Sequence, residues 1–161
     1  MASLVDTNLL VYRFDPRDPE KQRLAEEVLR EGSINDTLVL PHQAVLEFVA
    51  AVTRRRPDLG GDPLLTMSEA LVEAEELTAQ FQVVYPSPAV LQTALRGAAI
   101  YQLSWFDAHI WAYAEVHGFA EILSEDFEHG RHYGKVRINN PFLSAADSVH
   151  ELPPLYVDAN R

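Results

Sequence analysis

The sequence contains no cysteine among its 161 residues, so disulfide bonds and thiolate chemistry are excluded. No apolar run approaches the roughly 18 residues that a membrane-spanning helix needs. The first residues also lack the basic segment and apolar stretch of a secretory signal. We therefore expect a protein of the cytoplasm, by the simplest interpretation that of a prokaryote, with no membrane partner.

Positive charge is scarce as well. The chain has 13 Lys and Arg residues against 24 Asp and Glu residues, which gives a net charge of −11. Because phosphate backbones attract basic surfaces, a uniformly acidic protein would repel a nucleic acid. Nucleic-acid binding would therefore need a local group of cations, or acidic residues that hold a metal ion.

The hydrophobic pattern predicts one α/β domain. Hydrophobic residues make up 47% of the chain and charged residues 23%, as in ordinary globular proteins. Short apolar segments alternate with helical patterns, which favours a three-layer sandwich with a mostly parallel sheet of about five strands flanked by helices. The predicted strands are residues 2–5, 37–40, 82–85, 121–123 and 135–138. We expect the domain to span residues 1–142, followed by an acidic, proline-containing tail over residues 143–161.

Helical periodicity fills the gaps between these strands. Apolar residues recur at helical spacing over residues 20–30, 42–55, 67–81 and 104–118. A helix starting near Pro86 is expected to continue to about Leu103. Gly32 is expected to end the helix over residues 20–30, because glycine is the commonest residue just beyond a helix.

Four acidic side chains are candidates for a shared site. Asp6 follows the first predicted strand, Asp126 follows the fourth, and Asp107 lies at a helix start. Glu47 lies inside an otherwise apolar helix. Functional groups of such sheets gather at the carboxyl ends of the strands. Carboxylate oxygens suit Mg²⁺ and Mn²⁺, the ions that support phosphodiester hydrolysis.

Four short motifs occur along the chain: LVDTNLL at residues 4–10, SWFDA at 104–108, LSEDF at 123–127 and NPF at 140–142. They resemble the motifs of the PIN-domain family, and in particular of its VapC-like toxin ribonucleases of type II toxin–antitoxin systems. Residues 4–10 (LVDTNLL) look like its opening motif, residues 104–108 (SWFDA) like its central acidic motif, and residues 123–127 (LSEDF) like its late motif. Residues 140–142 (NPF) are similar to the ending of the VapC-like toxins. The motifs occur in the family's order over residues 3–142.

The resemblance implies a function and a set of site residues. It implies a Mg²⁺- or Mn²⁺-dependent endoribonuclease that leaves a 5′-phosphate, forms a homodimer, and is neutralised by a small antitoxin that covers the site. It also implies that Asn8 fixes the cluster by hydrogen bonding, and that Ser124 replaces a more usual threonine while keeping its hydroxyl. The implied metal ligands and catalytic residues are Asp6, Glu47, Asp107 and Asp126.

Each acid also has an ordinary structural interpretation. Asp6 could cap the helix that begins near Thr7, and Asp107 could form a capping box with Ser104. Asp126 could be a turn residue, and Glu47 a partly exposed helix acid. These interpretations do not explain why the four acids occur together in the family's order.

Several cations are candidates for RNA contact. Arg13 and Arg17 follow Asp6 closely. The segment 131–137 mixes cations with an aromatic ring, which would allow both phosphate contact and base stacking. Residues 54–56 (RRR) are interpreted as a solvated helix end, where cations suit the helix dipole. The candidates in the segment 131–137 are Arg131, His132, Lys135 and Arg137.

Two other functions stay open on the sequence. The chain could be a catalytically quiet PIN-fold scaffold that binds RNA or protein, although its intact acids argue against this. An aspartate-nucleophile phosphatase would also have an early Asp after a strand. Such enzymes have Asp-x-Asp at this point, whereas this chain has Asn8 in the third position.

Overall fold

The computed structural model describes residues 1–143, which form a sheet covered by helices on both faces. The strands are β1 (Ser3–Val5), β2 (Leu38–Pro41), β3 (Gln82–Val84), β4 (Glu121–Leu123), β5 (His132–Tyr133) and β6 (Val136–Asn139). The helices are α1 (Thr7–Tyr12), α2 (Pro19–Asn35), α3 (His42–Val52), α4 (Met67–Gln80), α5 (Pro88–Tyr101) and α6 (Trp105–His117), with a 3-10 turn at Pro57–Leu59. The predicted α/β class is confirmed. The predicted tail lies outside the described residues except for Leu143.

The sheet has six strands in the order β3-β2-β1-β4-β6-β5. All neighbouring strands are parallel except β5 and β6. The sequence predicted about five strands, and the additional one is β5, a two-residue strand that pairs with β6 across a turn at Gly134 (φ +62°). A strand of two residues is too short to show alternating polarity, so the sequence carries no signal for it.

The centre of the sheet is the point where the direction of winding changes. The chain runs from β1 outward to β2 and β3, and then returns to place β4 on the other side of β1. The backbone N–H of Asp6 donates to the carbonyl of Leu123 (3.0 Å), so the carboxyl ends of β1 and β4 are directly joined. In sheets of this kind, the crevice at this switch point is where ligands bind.

Hydrophobic cores fill the space on both faces of the sheet. In β1, Leu4 packs on one face and Val5 on the other, as the alternation of side chains along a strand requires. On the first face, α5 and α6 pack around Trp111, whose indole N–H donates to the carbonyl of Tyr133 (2.8 Å). The second face is filled by α1 to α4, with Phe48 fully buried.

Helix α2 passes through Gly32 and ends at Asn35, so the expected end at Gly32 is wrong. Asp36 takes the left-handed conformation at this end (φ 54°). A Cβ at Gly32 would lie 2.1 Å from Cδ1 of Leu38, so the glycine allows β2 to pack closely against α2. Within residues 1–143, no helix has the length and apolarity needed to cross a bilayer.

Candidate metal centre

Three of the four predicted acids meet at the carboxyl ends of β1 and β4. One carboxylate oxygen from each of Asp6, Asp107 and Asp126 lies within 4.8 Å of the others. Asp6 follows β1, Asp126 follows β4, and Asp107 lies in the first turn of α6. The fold therefore brings residues that are more than 100 positions apart to the switch point of the sheet.

Glu47 lies beside this cluster, on α3. Its Oε2 accepts hydrogen bonds from Thr7 Oγ1 (3.0 Å) and from Nε2 of Gln43 (3.3 Å). Its negative charge contributes to the raised pKa of Asp107. Glu47 is therefore linked to the Asp6 loop through Thr7 and faces Asp107, at the edge of the three-aspartate group.

The local hydrogen bonds of these acids fix their positions. Asp6 is the N-cap of α1 and accepts from the backbone N–H of Thr7 (2.7 Å). The N–H of Asp107 donates to the hydroxyl of Ser104, the N-cap of α6 (3.2 Å). The ordinary interpretation of Asp6 as a helix cap holds together with its place in the cluster, whereas at α6 the cap is Ser104 and only its half of the capping box with Asp107 is present. A carboxylate has about four lone-pair directions, so a capping bond leaves room for another partner.

Ser124 connects two members of the cluster. Its hydroxyl is fully buried, donates to Asp6 Oδ2 (2.6 Å), and accepts from the backbone N–H of Asp126 (3.1 Å). One hydroxyl therefore fixes the orientation of the Asp6 carboxylate and the backbone turn that carries Asp126. Both hydrogen bonds use the oxygen that serine shares with threonine.

Asn8 offers a buried amide beside the acids. Its Oδ1 and Nδ2 are both buried and have no hydrogen-bond partner of normal geometry within residues 1–143. The amide still lies close enough to Asp126 to lower the pKa of that carboxyl. An unpartnered buried amide is costly unless a ligand or water completes it.

Burial and mutual repulsion make the cluster a poor place for uncompensated charge. Burial raises the pKa of Asp6 to about 7. The hydrogen bond from Ser124 opposes this shift, and the negative charge of Asp126 adds to it. Burial also raises the pKa of Asp107, and the charge of Glu47 adds to that shift. The pKa of Asp126 is raised by burial and by the charge of Asp107. A divalent cation would offset this repulsion, and carboxylate and amide oxygens are the donors that Mg²⁺ and Mn²⁺ prefer. These residues fit such an ion.

Lys21 is a neighbour of the cluster that the sequence did not reveal. Its ammonium group pairs with Glu125 (2.7 Å) and lies over the rings of Tyr12 (4.9 Å) and Phe142 (5.5 Å). Tyr12 donates to the same glutamate. Phe142, from the predicted NPF motif, packs edge-on against Tyr12. The charge of Lys21 lowers the pKa of Asp126, so one cation does act on the site.

Five of the six cations predicted to contact RNA lie away from these acids, and the sixth, Arg17, lines a hollow that Asp126 also lines. Arg137 pairs in register with Glu121, the first residue of β4, so it lies at the amino end of that strand. His132 and Lys135 line the same hollow as Arg137, next to the start of β1. Arg131 pairs with Glu128 and covers a tyrosine ring, while Arg13 pairs with Glu73 of α4. RNA contact by these five residues stays a prediction, and the structure brings none of them into the acidic cluster.

Replacing Ser124 with alanine tests its role in orienting the acids. We expect the S124A protein to bind Mn²⁺ about 10- to 100-fold more weakly, because residues that hold metal ligands in place contribute about that much to affinity. Calorimetric Mn²⁺ titration measures the change. The matched control is S3A, because Ser3 also joins β1 to β4 by donating to Glu121 (2.8 Å), but at the amino ends of the strands. Equal Mn²⁺ affinity in S124A and S3A would contradict the role of Ser124.

Comparisons with known proteins agree with this arrangement. The model of the family described as PIN domain matches residues 3–135. Among solved structures, the fold is similar to that of VapC20 from Mycobacterium tuberculosis, described as a toxin that cleaves the sarcin–ricin loop. The two share 13% sequence identity and superpose with a TM-score of 0.57, covering 75% of this chain and 87% of that one. At that identity the similarity concerns the fold alone. The curated proteins contain no significant sequence match to this chain.

Proposed function

Because this chain belongs to the PIN domain family, we propose that it is a metal-dependent endoribonuclease acting as the toxin of a toxin–antitoxin pair. Asp6, Glu47, Asp107 and Asp126 would hold Mg²⁺ or Mn²⁺. The observation that carries the proposal is the convergence of three aspartate oxygens within 4.8 Å at the switch point of the sheet. The buried amide of Asn8 beside them, which has no partner within residues 1–143, supports a ligand at the same place.

The chemistry divides between the ion and the chain. A divalent cation bound here would polarise the phosphodiester and make a water molecule a better nucleophile. Ser124 keeps Asp6 in one orientation through its 2.6 Å hydrogen bond. Thr7 does the same for Glu47. Because Asp6 is buried and Asp126 is exposed, the cluster is open to solvent, and hence to a substrate, on the Asp126 side.

A cleavage assay tests the proposal. Purified protein is incubated with transfer RNA, ribosomal RNA and total messenger RNA, with Mn²⁺, with Mg²⁺ or with EDTA. We expect endonucleolytic products that carry 5′-phosphates, formed only when a divalent ion is present. The D126N protein serves as the inactive control. The proposed endoribonuclease activity would be contradicted if none of these RNAs gave a metal-dependent product, or if D126N gave the same products as wild type.

The partners of this nuclease follow from the same proposal. A toxin of this kind needs a cognate antitoxin as its protein partner. Because the proposed RNA substrate and the antitoxin would both be in the cytoplasm, we expect the activity there too. Exposed apolar side chains of α3 and α6, namely Leu46, Trp105 and Phe106, surround a hollow of about 330 Å³ that a second copy would cover in a homodimer. Light scattering of the purified protein tests the dimer. Co-purification with the product of a neighbouring short reading frame tests the antitoxin.

A further inference from the structure

An open hollow of about 280 Å³ lies next to the acidic cluster and carries two arginines. Asn8 and Asp126 form its wall on the side of the cluster. Arg17 and Arg56 form part of the remainder, and we call this space the arginine hollow. In a chain of net charge −11, two guanidinium groups beside an acidic site require an explanation.

Arg56 lies outside α3, in an extended segment that precedes a proline. A residue before proline avoids the helical conformation, and Arg56 is accordingly extended (φ −124°, ψ 118°). The helix has already ended at Val52, and the 3-10 turn begins at Pro57. Arg54 and Arg55 point into solvent, whereas Arg56 is partly buried. The expected exposure is thus correct for Arg54 and Arg55 and wrong for Arg56, and all three arginines lie beyond the end of α3 at Val52.

The guanidinium of Arg56 is held in place but incompletely paired. Its Nη2 donates to the carbonyl of Ala51 (2.9 Å), near the end of α3. Its Nε is buried and has no hydrogen-bond partner within residues 1–143. Among those residues no carboxylate forms an ion pair with Arg56, but Asp15 and Asp58 lie near enough for its charge to lower their pKa values. A charged group with unfilled hydrogen-bonding capacity is unfavourable, so an anion in the hollow would add an acceptor for this guanidinium.

Arg17 presents a second, rigid guanidinium. Its Nε and Nη2 donate to the two carboxylate oxygens of the buried Asp15 (2.8 and 2.6 Å), which fixes the plane of the group. Its Nη1 pairs with Asp58, an exposed side chain that a stronger acceptor would displace. Bidentate geometry of this kind suits arginine to phosphate oxygens.

The hollow adjoins the reacting position along one helix face. Glu47 borders the cluster and Ala51 borders the hollow. They lie four residues apart on α3, about 6 Å along the helix axis. A polynucleotide that places one phosphate at the acids would therefore bring its neighbouring nucleotide over the arginines.

We propose that Arg56 and Arg17 bind a backbone phosphate of the RNA strand, adjacent to the phosphodiester held at the acidic cluster. This inference rests on the proposed nuclease function and specifies how an acidic protein binds its polyanionic substrate. The bound phosphate carries no sequence information, so these arginines contribute affinity and position rather than base preference. RNA is favoured over an acidic protein segment because the hollow is continuous with the acids that would hold the phosphodiester.

Steady-state cleavage of a short RNA substrate with Mn²⁺ tests the proposal at several salt concentrations. We expect R56Q to raise KM by roughly 10-fold or more, with kcat little changed, because a contact present in both ground and transition states is lost. In R56Q, the slope of log(kcat/KM) against log[salt] should become shallower by about 0.7, the value for one phosphate contact on a single strand. R56K keeps the charge and should keep the salt slope. R54Q loses the same charge at an exposed position, so it is the matched control and should behave like wild type.

The outcomes separate this inference from the function on which it rests. If wild-type protein cleaves RNA and R56Q equals R54Q in both KM and salt slope, the proposal of a phosphate site is wrong, while the proposed nuclease function is supported. If wild-type protein cleaves no RNA, the proposed nuclease function is wrong, and so is the phosphate site that rests on it. Melting temperatures of the variants are measured in parallel. An R56Q protein that has partly lost its fold would show a lower apparent kcat and a lower melting temperature. In that case R56K decides: an unchanged salt slope supports the site, and a slope reduced by about 0.7 overturns it.

Discussion

Replacing Asp6 with asparagine is expected to stabilise the metal-free protein near pH 8 while abolishing its metal-dependent cleavage of RNA. Burial raises the pKa of Asp6 from its ordinary value of 3.8 to about 7 in the folded chain. The folded state therefore holds the proton more tightly, and stability falls as the pH rises from about 4 to 7. Above this range the full cost of a buried ionised carboxylate remains. Asparagine carries no charge, so D6N should raise the free energy of unfolding near pH 8 by roughly 2 to 4 kcal/mol.

Chemical denaturation of metal-free protein near pH 5 and pH 8 measures this effect, and the gain should be smaller at the lower pH. The matched control is D15N. Asp15 is equally buried, but its hydrogen bonds with Arg17 lower its pKa, so its replacement should destabilise the protein near pH 8. In the presence of Mn²⁺ we expect D6N to lose at least about 100-fold in cleavage rate, since metal-supported catalysis contributes several kcal/mol. A D6N protein that is less stable than wild type near pH 8 without metal would contradict the explanation from burial.

Millimolar Mn²⁺ is expected to raise the melting temperature of the wild-type protein, and D107N should lose most of the increase. Metal that binds only the folded state stabilises it by about 2.7 kcal/mol when its concentration is 100 times the dissociation constant. For a chain of this size that corresponds to a shift of roughly 5 to 10 °C. Asp107 supplies one of the three converging oxygens, so its neutral analogue removes both a ligand and a negative charge.

The control for this experiment is D62N, which removes an exposed carboxylate outside the cluster. Its Mn²⁺ response should equal that of wild type. Differential scanning fluorimetry measures all three proteins with Mn²⁺ and with EDTA. Equal shifts in wild type and D107N would show that the ion binds elsewhere. Absence of any shift in wild type would favour the alternative of a catalytically quiet scaffold, which need not bind metal.

The positions of the acids could be predicted because each depends on short-range rules. Asp6 directly follows an apolar strand and begins a helix, and Asp107 lies three residues after the Ser104 cap. Parallel strands place their carboxyl ends at one edge of the sheet, so Asp6 and Asp126 were expected to be neighbours once both strands were recognised. The ordinary interpretation of Asp6 as a capping residue was correct too, while Ser104 is the cap that precedes Asp107. At Asp6 the hydrogen bond that starts the helix also fixes the carboxylate.

The surroundings of the acids could not be predicted in the same way. Lys21 lies on a helix with nothing nearby in sequence to connect it to Glu125, 104 residues later. Arg56 was interpreted together with Arg54 and Arg55 as part of a solvated helix end. Only the tertiary structure shows that Arg56 lines the hollow that Asp126 also lines. The cations of residues 131–137 follow Asp126 in sequence, but β6 runs parallel to β4 and begins at the opposite edge. Closeness in sequence therefore did not mean closeness in space.

By itself, the amino-acid sequence determined the fold class, the family resemblance and the four acids, because these depend on hydrophobic periodicity and on residues adjacent to strand and helix ends. Only the tertiary structure decided which groups surround those acids: Ser124 bonded to Asp6, an Asn8 amide with no partner in the described part of the chain, and Arg56 in the same hollow as Asp126. The physical reason is that burial, repulsion and ion pairing act through space over a few ångströms. The residues that share such a distance follow β1 and β4 or lie on or just beyond α1, α3 and α6, and these elements meet only when the sheet is assembled.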